Sequence, residues 1–255
     1  MIKFFRKIRY DLMEKNKKVD YLKYAIGEIF LVVIGILFAL QINNWNDLKK
    51  QRLTEVHYLK NIKVDLQASV IELNEYIITR IEHINSAKII LDQFYGKRTL
   101  AFSEFNSLSL SLYEWEKYYQ KNNTFQELIN SGNLTLITND YIKNTLLNIE
   151  LLYIKLKSEE EHYLFDTKKT FYEPQYKFVD LSILIDNFTY QVTNGESGKN
   201  IALSEKMLEE IYESIELKNG FSLSILEYEK MNNQMKEMIK LSENLINMIN
   251  SEINR

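Results

Sequence analysis

The chain holds 255 residues, with 32 Lys and Arg against 35 Asp and Glu. It has no Cys, which excludes disulfides and thiol chemistry, and beyond residue 45 its 24 basic and 31 acidic side chains argue against nucleic acid as a partner. One Pro and seven Gly, with Lys, Glu, Leu, Ile and Asn dominant, predict an all-α fold.

Residues 1–23 form a basic tail. Ile2, Phe4, Phe5, Ile8, Leu12 and Met13 oppose a basic face, which reads as an amphipathic helix on an anionic inner leaflet. The same basic residues serve equally as a plain topology signal.

Residues 24–42, YAIGEIFLVVIGILFALQI, read as a transmembrane helix. At ~1.5 Å rise per residue they span ~28 Å, close to the ~30 Å hydrocarbon core. Twelve of them are Ile, Leu, Val or Phe, together worth roughly -5 kcal/mol of insertion free energy. Glu28, near one end, costs less than the ~3 kcal/mol of a central charge, so insertion wins. The run is apolar on all faces, unlike the single stripe of a soluble core helix. Its exit, Phe38-Ala39-Leu40-Gln41, lacks a small-x-small cleavage pattern, so it reads as an uncleaved signal anchor.

Eight basic residues precede the span and four, Lys49, Lys50, Arg52 and Lys60, lie in the 20 residues after it, which places the N-terminus in the cytoplasm of an inner membrane. Trp45 and Tyr21/Tyr24 then mark the two interfaces. Gly35 and Ala39 make a small-xxx-small pair, with Gly27 on nearly the same face. Such a face brings helices together, but Gly and Ala are also common in plain anchors, and that reading is preferred. Glu28 reads as an acid reaching Lys23 or the headgroups rather than as a functional intramembrane group.

The opening MIKFFRKIR, the anchor YAIGEIFLVVIGILFALQINNWND and the later TFQELINSGNLTLITND (124–140) resemble a family of bacterial single-pass membrane proteins of unknown function. The resemblance implies one N-terminal span and a helical region beyond it. It supplies no activity, cofactor or catalytic residue.

Residues 43–255 are expected to form an extracytoplasmic antiparallel helical bundle. Asn43 to Asn46 loosen the helix briefly. A long membrane-proximal helix then runs from about Asp47 to Tyr95 and ends at Gly96. Leu59, Ile62, Leu66, Val70, Leu73, Ile77, Ile81 and Ile84 form its seam, with spacings closer to an 11-residue repeat than to a heptad. Ser103 caps a helix through Tyr119, whose Tyr113, Trp115, Tyr118 and Tyr119 are candidates for an aromatic-walled pocket. Core packing is the preferred reading of these rings. Thr124 and Glu127 have capping-box spacing for a short helix stopped at Ser131-Gly132. Thr138, Asn139 or Asp140 caps a helix to about Thr170. Pro174 breaks the chain, and 171–200 has no clear pattern. Ser204 starts a helix to about Lys218, and Asn219-Gly220 turns the chain. The last helix, Phe221 to about Ile253, carries Tyr228, Met231, Met235, Met238, Leu241, Leu245 and Met248 on one face, a stripe that fills core gaps.

Glu159 and His162 have the Glu-x-x-His spacing of di-iron bundles, but Thr54 and Arg80 stand three before His57 and His83, so the second copy is missing. No HExxH, P-loop, GxSxG or GxGxxG occurs. No catalytic, metal-binding or cofactor-binding residue is assigned. The reading is a non-enzymatic binding, sensor-like or scaffold module of the cell envelope. A structural envelope protein, or an enzyme with an unrecognised site, is the alternative. The expected partners are the lipid bilayer and a membrane-protein partner or a second copy.

Overall fold

The computed structural model describes Arg6, Tyr10 and residues 18–113 and 116–254. The amphipathic tail therefore lies outside the described residues for most of its length, and so does Trp115. The described residues are helical apart from the connections between helices. It divides into two compact units, Met1–His57 and Tyr58–Arg255.

The first helix, α1, is Lys18–Phe94. It contains an 18-residue window with mean hydropathy 2.4, none of it buried, which is long and apolar enough to cross a membrane. Residues 43–46, expected to loosen the helix, are helical. Gly96, at φ +67°, follows the helix end as expected.

In the second unit α1 supplies one side of the core. The buried face holds Leu59, Leu66, Leu73, Arg80 and Ala87 in one column and Ile62, Ser69 and Ile90 in the next, with Tyr76 and His83 half-buried between them. Ile77, Ile84 and Leu91 are buried as well, so the seam steps as heptads from Leu59 to Leu73 and from Ile77 to Leu91, joined by one 11-residue step, Ser69–Leu73–Ile77–Arg80. Val70 is only half-buried and Ile81 is 44% exposed, while Ser69 and Arg80 occupy the core. The hydrophobic pattern misses the true phase because polar side chains hold part of it.

Next come α2 (Phe102–Tyr113), α3 (Asn123–Asn130) and a 3₁₀ turn over Asn133–Leu136. The helix expected through Tyr119 ends at Tyr113, and residues 116–122 are non-helical. The capping box at Thr124 does not form. Asp65 Oδ2 on α1 accepts from Thr124 N at 3.0 Å instead, and Glu127 accepts from Tyr58 OH at 3.0 Å. A carboxylate from a neighbouring helix thus replaces the local cap.

Helix α4, Asp140–Thr167, is capped by Asn139, whose side chain accepts from Tyr141 N and Ile142 N. Pro174 does not break the chain. It has no N–H for the helical ladder, and the preceding Lys168–Tyr172 widens into a π turn before α5, Glu173–Phe178. Helix α6 (Leu181–Val192) follows, where the sequence showed no pattern. Asn187 holds the next loop, donating to Ile201 O at 2.7 Å and accepting from Ile201 N at 2.5 Å.

Helix α7 (Glu205–Glu213) is capped by Ser204 as expected, and α8 runs Ile215–Ile253. The turn expected at Asn219-Gly220 is absent, because both residues lie inside α8. A Cβ on Gly220 would come within 2.5 Å of Phe171 Cε1 and 2.6 Å of Thr170 Oγ1. This glycine lets two helices approach at the π turn. The Met stripe is core: Met231, Met235 and Met238 are buried with Tyr228 and Leu245.

The three long helices of the second unit have a fixed sense. Arg80 meets Glu160, and Ile62 and Leu66 share a small cavity with Leu146 and Ile149, so α1 and α4 run parallel. Asn139 bonds Glu252, and Tyr163 bonds Ser224, so α8 runs antiparallel to α4.

Candidate functional site: a buried ion-pair network

The densest polar chemistry in the second unit lies where α1, α4, α8 and segment 116–122 meet. Arg80 and Glu160 are 4% and 1% exposed. Arg80 Nη2 donates to Glu160 Oε1 at 2.8 Å. The backbone N–H of Tyr118 donates to the same oxygen at 3.1 Å, and Lys157 Nζ donates to Glu160 Oε2 at 2.7 Å. Each carboxylate oxygen therefore has a cationic donor. The Arg80 guanidinium also lies 5.6 Å from the Tyr76 ring and 5.9 Å from the Tyr228 ring, within cation–π range.

The network clasps segment 116–122 between the two parallel helices. Lys157 Nζ donates to Tyr118 O at 3.0 Å, Tyr76 OH to Lys117 O at 2.9 Å, and Ser69 Oγ to Lys121 O at 3.1 Å. Asn122 Nδ2 donates to Glu150 Oε2 at 2.9 Å, and Lys117 pairs with Glu161. A non-helical segment buried against helices must find partners for its amides and carbonyls, and these side chains supply them. That accounts for the polar residues in the α1 seam.

A relay of hydroxyls extends along α8. Ser224 Oγ donates to Gly220 O at 2.9 Å, so Tyr163 OH donates to Ser224 Oγ at 3.1 Å. Burial pushes the Tyr163 phenol up from its ordinary range, and Tyr228 well above it. Burial likewise raises Tyr118 and Tyr113. These phenols stay neutral near neutral pH and act as hydrogen-bond groups there.

The cavity beside Arg80, lined also by His83, Glu116, Tyr163 and Tyr228, measures ≈10 Å³. That is the space of about one water molecule. Larger openings are surface grooves. One, of ≈400 Å³, is lined by Lys169, Glu173, Lys177, Glu210, Glu213 and Glu216. Among the described residues no group of three His, Asp or Glu is placed to hold a metal ion.

Of the aromatics offered as a pocket, the three described, Tyr113, Tyr118 and Tyr119, do not come together. Tyr113 packs edge-on to Phe171 at 5.1 Å and accepts from Tyr172 OH through its backbone carbonyl at 2.8 Å. Tyr118 is fully buried between Tyr76 and Tyr153. Tyr119 is 66% exposed with Lys157 over its ring, and Trp115 lies outside the described residues. Of the anchor residues, Glu28 is half-buried and Ala39 exposed. A Cβ on Gly27 or Gly35 would meet nothing within 4 Å. Trp45 is exposed, with Lys49 Nζ 5.7 Å from its ring.

Arg80 and Glu160 had no mark in the sequence as site residues. Their signal was phase: Arg80 falls on the heptad of Leu59, Leu66 and Leu73, and Glu160 lies on that of Leu146 and Tyr153.

The fold and network define an all-helical protein with one span-length apolar helix and a bundle closed over buried charge. The chain belongs to the family of unknown function DUF6090, whose model matches residues 28–187. The match contains Arg80, Lys157 and Glu160 and stops short of α8. No curated protein and no solved structure matches the chain.

Proposed function

We propose that the chain is a single-pass inner-membrane protein whose helical bundle lies outside the cytoplasm and serves as a non-enzymatic binding, sensor-like or scaffold module of the cell envelope. The observation that carries this reading is the apolar window of α1, mean hydropathy 2.4 with none of it buried. Exposed apolar surface of that extent needs a non-aqueous environment. The excess of Lys and Arg before the span supports a cytoplasmic N-terminus.

The non-enzymatic part is supported by the chemistry of the buried network. Glu160 is saturated by cations, the phenols beside it are held neutral, and the adjoining space takes about one water. The module then acts through its surface, on a membrane partner or a second copy of the chain.

The test is a reporter active only outside the cytoplasm, fused after Arg255 in the intact chain. Activity is expected. Activity of a cytoplasm-dependent reporter alone at that position overturns the orientation and the envelope reading.

A further inference from the structure

We propose that a second copy of this chain packs against the outer face of α4 through Leu147, Leu151 and Ile154. These side chains are 39%, 63% and 56% exposed and are spaced by four and three residues. Phe165, 58% exposed, returns to this face two heptads beyond Leu151, past the polar Ser158 and Glu161. The face lies opposite the core column of Ile142, Ile149, Leu156 and Tyr163, which is buried. A helix in contact with water carries polar residues there.

The spacing is that of a two-helix seam, with Leu151 at an a position and Leu147 and Ile154 at d. Glu150 then stands at g and Lys155 at e, positions that meet across a parallel pair. A symmetric pair of copies gains two Glu150–Lys155 contacts. Glu150 is bonded within the chain to the neutral amides of Asn122 and Gln126, which leave its charge intact. An antiparallel pairing loses these contacts and sets e against e, with Lys155 facing Lys155 or Asn148.

The four apolar side chains expose on the order of 400 Å² per copy, the size of a large surface patch. Two copies cover about 800 Å² with these alone, and the polar flanks carry the contact toward the ~1,000 Å² of a specific interface. The parallel arrangement rests on the anchored reading, in which identical spans in one bilayer bring equivalent ends of two chains together.

The chain has no Cys, so single-Cys variants of the full-length protein report proximity cleanly. Leu151→Cys and Leu147→Cys in native membranes should form disulfide-linked dimers under mild oxidation, at least fivefold more than Val64→Cys, an exposed position on α1. Lys155→Glu in the Leu151→Cys background should cut the yield severalfold, and adding Glu150→Lys should restore it. Equal yields at 151 and 64, no dimer at 147 or 151, or indifference to Lys155→Glu overturns the proposal. Anchoring is read separately, by retention in membranes after an alkaline wash. A chain that washes off yet crosslinks through 151 overturns the anchor and keeps the interface. A retained chain that does not crosslink overturns the interface alone.

Discussion

Arg80 on α1 and Glu160 on α4 form a 2.8 Å ion pair that is almost wholly shielded from water. Taking two charges out of water is costly, and their attraction offsets that cost only when the remaining donors and acceptors are also satisfied. Here Lys157 and the Tyr118 amide complete the carboxylate, and two aromatic faces cover the guanidinium. The pair joins the two parallel helices and holds the segment between them. It specifies the relative register of α1, α4 and 116–122 more than it adds to stability.

Removing one partner should therefore cost more than removing both. Arg80→Met leaves Glu160 buried with Lys157 as its one cation and is expected to destabilise the bundle by about 3–5 kcal/mol. Arg80→Met with Glu160→Leu should recover part of that loss, because the buried carboxylate is gone and Lys157, 23% exposed, keeps Tyr118 O and water, while the Tyr118 N–H loses its acceptor. Urea unfolding of the three proteins measures it. A double variant as unstable as the sum of the singles would show that the charges do not act as a pair.

The buried phenols set the alkaline limit of the fold. The folded-state pKa of Tyr228 is raised well above the ordinary phenol range, by burial first and then by Tyr163. Tyr163 is raised too, again by burial. In the unfolded chain these groups ionise near pH 10, so the unfolded state binds fewer protons than the folded state above that pH. Their contribution is present below pH 10 and is lost as pH rises toward the folded values. Thermal melts should fall steeply above about pH 10. Tyr228→Phe should melt lower at neutral pH, with a shallower fall from pH 9 to 11. An unchanged slope would mean that Tyr228 does not titrate with unfolding.

Much of the fold could be read from residue patterns. Asn139, Ser204, Gly96 and Gly132 end or begin helices where their chemistry requires, and the Met stripe of α8 is core. What could not be read has a common cause in tertiary contact. Asn219-Gly220 has the composition of a turn, yet Gly220 sits in a helix because Phe171 leaves no room for a Cβ. Tyr118 looks like part of a helical aromatic cluster, yet its backbone is clasped by Glu160 and Lys157 from a helix some forty residues away. Local sequence cannot register a cap or a close approach supplied by another element. The buried network was invisible for the same reason, since charge in a core looks like charge on a surface until its partner is known.

The α1 seam is where the two accounts differ by one position, and a matched set of variants separates them. Ile77 is 7% exposed, Ile81 is 44% exposed and Glu75 is exposed. A stripe read from the apolar residues alone makes Ile77 and Ile81 equivalent. The observed step Ser69–Leu73–Ile77–Arg80 puts Ile77 in the core and leaves Ile81 at the edge. Ile77→Asp buries an unpaired carboxylate and should cost ~3 kcal/mol or more, enough to unfold a marginal bundle. Ile81→Asp can keep its charge in water and should cost about 1 kcal/mol or less, and Glu75→Asp should be close to neutral. Thermal melts of the three full-length variants rank them. Equal losses for Ile77→Asp and Ile81→Asp would restore the purely apolar stripe, and equal melts for Ile77→Asp and Glu75→Asp would show that this face of α1 is not buried at all.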